Sequence, residues 1–141
     1  MKGETAQPLS KGELVILDSE VVHGKRLGRE LGFPTANQQF AEGALIPECG
    51  IYASTAEIDG KEYIAVSNVG TRPTVDGEGV NCETHVIDCN LDLYGKRIKV
   101  VLRAYLRCEK RFFSIEELRR SIASDVERAR EYFKQTQATR N

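Results

Sequence analysis

No apolar run in this 141-residue sequence approaches the roughly 20 residues that a membrane-spanning helix needs. The first residues, MKGETAQP, also lack the apolar core of a signal peptide. The formal net charge is −1, so the overall charge does not attract the chain to nucleic acid or to a membrane surface. We therefore expect a cytoplasmic protein with no nucleic-acid or membrane partner, in which any polyanion site is a local group of Lys and Arg side chains.

The cysteines form no Cys-x-x-Cys pair. They are Cys49, Cys82, Cys89 and Cys108, and their apolar or alternating surroundings favour reduced thiols over a metal site or disulfides. The sequence also has no internal repeat and no low-complexity linker that would mark a domain boundary. Because 141 residues suffice for one domain with a real core, we predict a single, monomeric domain over residues 1–141, with its core at about residues 13–135.

Residues 13–107 contain short stretches rich in Val, Ile, Thr and Tyr that are separated by turn residues, a pattern typical of β-strands. The clearest predicted strand covers residues 97–106, where apolar and mainly polar residues alternate. Its expected core-facing residues are Ile98, Val100, Leu102, Ala104 and Leu106. The other predicted strands are residues 14–22, 51–58, 62–68 and 82–88, and the middle two form a hairpin around Asp59-Gly60.

After residue 113 the apolar period changes from that of a strand to that of a helix. Ser114 and Glu117 form a capping box. The apolar residues that follow at helical spacing are Ile115, Leu118, Ile122, Val126, Ala129 and Phe133. Residues after Gln135 are expected to be a frayed tail. Five or six antiparallel strands with one terminal helix predict a small closed or nearly closed barrel, because closure hides unpaired strand edges.

Neither common nucleotide-binding signature is present, since the sequence lacks both Gly-x-x-x-x-Gly-Lys-Ser/Thr and Gly-x-Gly-x-x-Gly. In residues 24–32, however, glycines spaced by four are interleaved with Lys25, Arg26 and Arg29. Such a segment could cradle polyphosphate, although a solvated basic turn is the simpler explanation of these residues alone. The adjoining Pro34-Thr35-Ala36-Asn37 favours a nucleotide site. A hydroxyl and an amide two residues apart in an extended chain point the same way and offer hard oxygens to Mg²⁺.

The run from Val22-His23-Gly24 to Gly32-Phe33-Pro34-Thr35-Ala36-Asn37 resembles the signature of riboflavin kinases, including the kinase module of bacterial bifunctional FAD synthetases. Further matching segments follow in order: Gly50-Ile51-Tyr52-Ala53, Asn68-Val69-Gly70-Thr71-Arg72-Pro73-Thr74, Glu83-Thr84-His85, Leu93-Tyr94-Gly95-Lys96 and residues 106–114. The resemblance implies a six-stranded antiparallel Greek-key barrel with a C-terminal α-helix. It also implies transfer of the γ-phosphoryl group of ATP to the 5′-hydroxyl of riboflavin, which yields FMN and ADP.

The resemblance further implies which residues form the site. Glu83 matches the family's general base, and Thr35 and Asn37 match the ligands of Mg²⁺, with Zn²⁺ as an alternative ion. The matching ATP contacts are Gly24, Arg29, Val86, Asp88 and Tyr94. The matching flavin contacts are Arg107, Phe112 and Ser114. His85 shares a strand face with Glu83, and we expect it to support the site or to pack beside it.

Two other functions remain open from the sequence. A small barrel with basic loops could bind oligonucleotides, using Tyr52, Tyr63, Tyr94 and Tyr105 as stacking platforms. The net charge and the absence of an aromatic cluster on one strand face argue against that function. A non-catalytic flavin- or nucleotide-binding regulator would keep the fold and lose turnover. No segment resembles the nucleotidyltransferase domain of the bifunctional enzymes, so we expect no FMN adenylyltransferase activity from this chain, whether it is a standalone enzyme or a module of a longer one.

Overall fold

Antiparallel strand pairs form most of the fold in the computed structural model, which describes residues 6–10, 14–22, 31–74 and 77–140, apart from the side chains of residues 72–78 and 137–140. Within these residues there are seven strands and one long helix, α1, at Ile115–Arg140. The strands are β1 (Gln7–Pro8), β2 (Val15–Glu20), β3 (Ala36–Gln39), β4 (Gly50–Ile58), β5 (Lys61–Thr74), β6 (Gly77–Val86) and β7 (Arg97–Arg107). The predicted class, mainly antiparallel β with a C-terminal helix, is confirmed.

The strands form one sheet in which β7, β4, β5, β6 and β3 are neighbours in that order. Strands β1 and β2 pair with successive parts of the other edge of β7. Strands β4 and β5 are joined by the predicted turn at Asp59 and Gly60, whose φ angles are 52° and 84°. Both angles are positive, as a tight hairpin turn of this kind requires, so the hairpin prediction is confirmed.

The two ends of the sheet, β2 and β3, approach each other without forming a complete ladder. Within the described residues they meet at one antiparallel bridge, where the Val22 N–H donates to the Asn37 carbonyl at 2.8 Å. The buried Gln38 amide adds hydrogen bonds of 3.1 Å to the Ser19 and Ile98 carbonyls. The structure thus differs in detail from the predicted six-stranded barrel. It has a seventh strand, the two-residue β1, and among the described residues its ladder is not closed, because β3 pairs along its length with β6 but has only the single Val22–Asn37 bridge on its other side.

Two apolar cores lie on opposite faces of the sheet. The inner core, around which the sheet curls, includes Leu17, Val21, Ala36, Tyr52, Ala56, Ile58, Val69, Val86 and Leu102. The outer core lies between the sheet and α1 and contains Ile51, Ala53, Val66, Ile87, Ala104, Leu106, Val126 and Ala129. Because α1 covers the outer face, consecutive residues of β4 are buried whichever way their side chains point.

Strand β7 presents its alternating residues to both cores. Its register against β4 shifts near the middle, where Arg103 is an extra residue, and one extra residue reverses the inside–outside alternation. Ile98, Val100 and Leu102 therefore belong to the inner core, whereas Ala104 and Leu106 belong to the outer core. All five residues are buried as predicted, but the single core-facing side expected from the sequence is divided by the bulge.

Strand β3 and the full length of α1 differ from the sequence prediction. Ala, Asn and Gln have weak β-propensity, so β3 forms because its backbone pairs with β6. The helix begins as predicted, since Ser114 Oγ accepts a hydrogen bond from the Glu117 N–H at 3.1 Å. It continues to Arg140 instead of fraying after Gln135. Ile115 is 52% exposed because it lies in the first turn, ahead of the part of α1 that packs on the sheet.

All four cysteines lie within the described residues and carry free thiols. Cys82 is completely buried in the inner core, and this burial raises the pKa of its thiol to about 11. A thiol with so high a pKa is a poor nucleophile, so Cys82 contributes packing to the fold.

Candidate active site

A cavity of about 300 Å³ lies between the outer face of the sheet and α1. Its floor is formed by β4, β5 and β6, together with the segment of residues 33–35 that leads into β3. Its roof is formed by residues 109–112 and by the first half of α1. The fold therefore supplies one rigid wall, the paired sheet, and one wall that depends on how the helix and its preceding loop are attached.

A single row of opposed residues runs across the sheet from β3 to β7, and all of its members except Asn37 line the cavity. The strand register sets Asn37 opposite Glu83, Glu83 opposite Asn68, Asn68 opposite Ile51, and Ile51 opposite Arg107. Residues opposed in antiparallel strands point to the same face, with Cβ atoms about 4.5–5.5 Å apart. The row is therefore polar from Asn37 to Asn68, apolar at Ile51, and ends at a guanidinium group.

At the polar end of the row, Asn37 and Glu83 are in contact. Asn37 Nδ2 donates to Glu83 Oε1 at 3.5 Å, and Asn37 Oδ1 accepts a hydrogen bond of 2.7 Å from Asn81 Nδ2. Asn37 is only 5% exposed, so its amide is held between two side chains of β6. Thr35, two residues before Asn37, lines the same cavity. The structure thus brings together the carboxylate and the two oxygen-bearing residues that the sequence singled out.

His85 holds the segment before β3 in position. Its Nδ1 lies 2.8 Å from the Pro34 carbonyl oxygen, and because a carbonyl oxygen only accepts, Nδ1 carries the proton. The rings of Phe33 and His85 meet edge to face, with centroids 5.4 Å apart. Both contacts fix the backbone just before Thr35 against β6, which is the kind of support expected for His85.

The remainder of the cavity is mainly apolar. Ile51 and Val66 line the floor, Leu118 and Ile122 line the roof, and Phe112 lies in the loop before the helix. A slot between a sheet and a helix, with apolar walls and a few polar groups at one end, is the usual form of a small-molecule site. These walls suit a flat ring system, and the polar end suits a group attached to it.

A buried ion pair attaches the roof to the sheet. Arg107 Nε and Nη2 donate to the two carboxylate oxygens of Asp125 at 2.8 and 2.7 Å, and the two side chains are 9% and 5% exposed. Nη1 donates to the Cys108 carbonyl and Nη2 to Ser121 Oγ, each at 3.0 Å. The guanidinium carbon lies 6.0 Å from the centre of the Phe112 ring. Among the described residues, four of the five N–H groups of Arg107 have partners, so its main contribution is to hold the helix and loop in place.

Comparison with known proteins identifies the family. The family model described as "Flavokinase: Riboflavin kinase" matches residues 11–133. The chain is also 44% identical over 123 residues to the bifunctional riboflavin kinase/FMN adenylyltransferase of Escherichia coli. The chain belongs to the riboflavin kinase family. That match covers 86% of this chain and 39% of the relative, so the chain spans about two fifths of the length of the curated proteins that it resembles.

Two solved structures resemble the fold. A crystal structure described as a macrolide-efflux protein from Streptococcus pneumoniae has a TM-score of 0.75 at 32% identity, covering 84% of this chain and 39% of that one. Riboflavin kinase from Trypanosoma brucei has a TM-score of 0.64 at 23% identity, covering 88% of this chain and 82% of that one, and at this identity the likeness concerns the fold. Among the described residues, no helix combines the length and the apolar character that a membrane crossing requires.

Several residues that match riboflavin kinase contacts lie outside the cavity lining. Ser114 caps α1 at the base of the loop that carries Phe112. Val86 points to the inner core, on the opposite face of β6 from Glu83, as its place in the strand predicted. Tyr94 is 55% exposed in the turn before β7. Gly24 and Arg29 lie outside the described residues, so their predicted role as phosphate contacts stays a prediction.

Asp88, a further predicted ATP contact, pairs with the helix. Arg130 Nη1 and Nη2 donate to the two carboxylate oxygens of Asp88, each at 3.2 Å. These hydrogen bonds, together with the charge of Arg130, hold the pKa of the Asp88 carboxyl below its ordinary value. Asp88 is therefore an exposed, ionised carboxylate that already has a cationic partner, and any nucleotide contact must form beside Arg130.

Sequence reasoning missed three residues of this candidate site. Asn81 stands two positions before Glu83, and the strand period alone would place it on the same face. Asp125 falls at helical spacing among Leu118, Ile122 and Ala129, and a carboxylate on an apolar helix face signals a buried cation. Asn68 was part of a quoted motif but was given no role. Its position opposite Glu83 follows only from the strand register.

The oxygen donors at the polar end fit a magnesium ion that arrives with a nucleotide. The described residues contain no group of three or more His, Cys, Asp or Glu side chains that could hold a metal by themselves. The available donors are the Thr35 hydroxyl and the Asn37 side-chain oxygen Oδ1, beside the Glu83 carboxylate. Mg²⁺ typically keeps several waters and takes one or two protein oxygens together with substrate phosphates. This donor set suits Mg²⁺ better than Zn²⁺, which prefers Cys and His ligands.

Proposed function

We propose that this chain transfers the γ-phosphoryl group of ATP to the 5′-hydroxyl of riboflavin, giving FMN and ADP. The observation that carries the proposal is the contact between Asn37 and Glu83, because Glu83 lines a cavity that also has apolar side chains on its floor and roof. Membership of the riboflavin kinase family and the 44% identity to a bifunctional relative support the same reaction.

The arrangement of polar and apolar groups in the cavity matches their arrangement in riboflavin. The tricyclic ring of the flavin is flat and largely apolar on its faces, and it would lie between Ile51 on the floor and Ile122 on the roof. The ribityl chain carries the hydroxyl groups and would extend along the row toward Glu83. In this pose the terminal hydroxyl of the ribityl chain lies beside the Glu83 carboxylate.

Glu83 is the proposed general base. Its carboxylate accepts the proton of the 5′-hydroxyl as that oxygen forms a bond to the γ-phosphorus, and the bond from that phosphorus to the oxygen bridging to the β-phosphate breaks to release ADP. Phosphoryl transfer needs mainly alignment and charge neutralisation, so a single positioned carboxylate is sufficient for the proton. The Asn37 contact orients the carboxylate before substrate binds.

Thr35 and Asn37 are the proposed holders of Mg²⁺, which when bound neutralises phosphate charge at the reacting group. The side-chain oxygen Oδ1 of Asn37 accepts a hydrogen bond from Asn81 and keeps a second lone pair that could bind the metal ion. The remaining proposed ATP contacts are Gly24 and Arg29 for the phosphates, and Val86, Asp88 and Tyr94 for the adenine side. Strand β3 is held to β6 beside Glu83, so an ion at its start would lie next to the ribityl end.

The proposed flavin-binding residues have different roles, and they are Phe112, Arg107 and Ser114. Phe112 can contact the ring directly because it lines the cavity. Arg107 lines the same cavity while it binds Asp125. Ser114 acts indirectly, since its cap on the Glu117 N–H fixes the point where the loop joins α1.

The test is an assay with ATP, Mg²⁺ and riboflavin that separates FMN from riboflavin by chromatography. We expect FMN and ADP in equal amounts, no product without the divalent ion, and no FAD when FMN and ATP are supplied instead. Flavin binding without ADP release would indicate a non-catalytic regulator. Salt-dependent binding of single-stranded oligonucleotides with no turnover would indicate an oligonucleotide-binding barrel.

A further inference from the structure

Within the part of the chain that the structure describes, one buried acceptor on a cavity-lining side chain has no partner. Among the described residues, two buried side-chain atoms lack a hydrogen bond, Gln38 Oε1 and Asn68 Oδ1. Gln38 is completely buried, and its amide nitrogen ties β3 to β2 and β7. Asn68 instead lines the cavity. Buried polar groups are nearly always satisfied, so an unsatisfied atom on a side chain that lines a cavity is a candidate partner for a group bound there.

The position of Asn68 is set by three strands. It stands opposite Glu83 on β6 and opposite Ile51 on β4. Asn37 and Asn68 therefore flank the Glu83 carboxylate from its two neighbouring strands, and Asn68 is the flanking residue on the side toward the apolar slot. Any ligand that extends from the slot to Glu83 must pass over Asn68.

The surroundings of Asn68 are rich in acceptors. At Gly70 a Cβ atom would lie 3.5 Å from Asn68 Oδ1 and 2.8 Å from Glu109 Oε2, so both oxygens converge on the space that the glycine leaves open. Glu109 belongs to the roof of the same cavity. These two acceptors, together with a third at the Glu83 carboxylate, favour a ligand with several hydroxyl donors over one with a bare hydrocarbon chain.

We propose that Asn68 is a substrate-specificity residue that binds the hydroxyl groups of the polyol chain next to the reacting hydroxyl, and so distinguishes a polyol-bearing flavin from one without hydroxyls. This inference rests on the proposed function. The carbonyl oxygen accepts from one hydroxyl, and the NH₂ group of the same amide can donate to a neighbouring one. Because Asn68 precedes Glu83 along the row, these hydrogen bonds set how far the polyol chain extends and thus where its terminal hydroxyl lies.

The experiment compares two ligands on variants of one position. Riboflavin and lumiflavin share the ring system, but lumiflavin carries a methyl group in place of the ribityl chain, and both are followed by their own fluorescence. We expect the wild-type protein to bind riboflavin more tightly than lumiflavin. Asn68→Leu, which keeps a similar volume, should weaken riboflavin binding about tenfold and leave lumiflavin binding unchanged. Asn90→Leu makes the same replacement at an exposed residue outside the cavity and should alter neither.

Thermal unfolding without ligand separates this role from a structural one. Because Asn68 Oδ1 has no partner among the described residues, removing it should leave the melting temperature of Asn68→Leu at or above that of the wild type. A lower melting temperature with equal losses for both flavins would make Asn68 a structural residue and overturn the proposal. Asn68→Ala is measured in parallel, so that a poorly packed leucine does not decide the result.

The outcomes also separate this inference from the proposed function. If the wild type forms FMN while both Asn68 variants keep the wild-type ratio of riboflavin to lumiflavin affinity, the specificity role is wrong and the kinase activity stands. If the wild type prefers riboflavin through Asn68 but forms no FMN, the kinase proposal fails and the binding role stands. If the wild type does not distinguish the two flavins, Asn68 has no such role.

Discussion

The buried pair of Arg107 and Asp125 should be far more important for stability than its exposed counterpart. Both Arg107–Asp125 and Arg130–Asp88 are two-pronged ion pairs that connect α1 to the sheet or to the turn after β6. Their exposures differ, because the Arg107 and Asp125 side chains are 9% and 5% exposed, whereas those of Arg130 and Asp88 are 40% and 76% exposed. The chain thus contains a matched control for the effect of burial.

Asp125→Asn should lower the free energy of unfolding by about 3 kcal/mol, because it leaves the Arg107 cation buried without a counter-charge. The estimate lies at the low end of the range for broken buried pairs, since the new amide oxygen still accepts one hydrogen bond. For a chain of 141 residues, the unfolding entropy per residue converts that loss into a fall in melting temperature of roughly 10 °C. Asp88→Asn should change the melting temperature little, because exposed pairs are screened by water and salt.

Thermal unfolding of the two variants, side by side with the wild type, provides the measurement. The Asp125 variant should also bind flavin more weakly, because Arg107 would no longer hold the roof of the cavity. The combined variant Arg107→Met and Asp125→Leu should recover much of the lost stability, since it leaves no unpaired charge. Equal shifts for Asp125→Asn and Asp88→Asn would refute the reasoning from burial.

Other consequences of the site and fold can be measured on single variants. Asn37→Ala should weaken binding of MgATP more than binding of riboflavin in calorimetric titrations, because the lost oxygen belongs to the metal site. Gln39→Ala on the same strand should affect neither. Equal losses for both ligands in Asn37→Ala would indicate collapse of β3. Gly50→Ala should cost about 1–3 kcal/mol in chemical denaturation, because its Cβ would lie 2.8 Å from the Arg107 carbonyl oxygen; Gly43→Ala, which meets nothing within 4 Å, should cost less. The Arg130 contact lowers the pKa of Asp88, so its stabilising effect is present above the ordinary carboxyl pKa of about 4 and is lost as the pH falls further. The small difference in melting temperature between the wild type and Asp88→Asn should therefore vanish in acid, and a difference that grows in acid would contradict this assignment.

Local patterns predicted the elements whose residues follow a single period. The alternation in β7 and the capping box before α1 both correspond to observed structure, because side-chain direction and helix capping depend on near neighbours in the sequence. The bulge at Arg103 could not be foreseen, since it depends on the register against β4. The sequence therefore predicted that Ala104 and Leu106 are buried, but it placed them on the same face as Ile98, Val100 and Leu102.

The candidate site, too, was predictable from local patterns only in part. The spacing of Thr35 and Asn37 predicted that they share a face, and the structure brings that face to Glu83 through the pairing of β3 with β6. The contact itself joins residues 46 positions apart, and no local pattern encodes it. Likewise, Arg107 was expected to contact flavin, while its pairing with Asp125 depends on how α1 crosses the sheet. Long-range partners of charged residues are the part that the sequence left undetermined.

The most direct test of the account is the activity of Glu83→Gln. This variant keeps the size of the side chain and one oxygen that can accept from the Asn37 amide, but it removes the ability to take a proton. We expect unchanged affinities for riboflavin and MgATP, an unchanged melting temperature and turnover lowered by roughly 100-fold or more, while Glu57→Gln, an exposed carboxylate on β4, keeps wild-type turnover. Wild-type turnover in Glu83→Gln would contradict the claim that phosphoryl transfer is carried out at the polar end of the row.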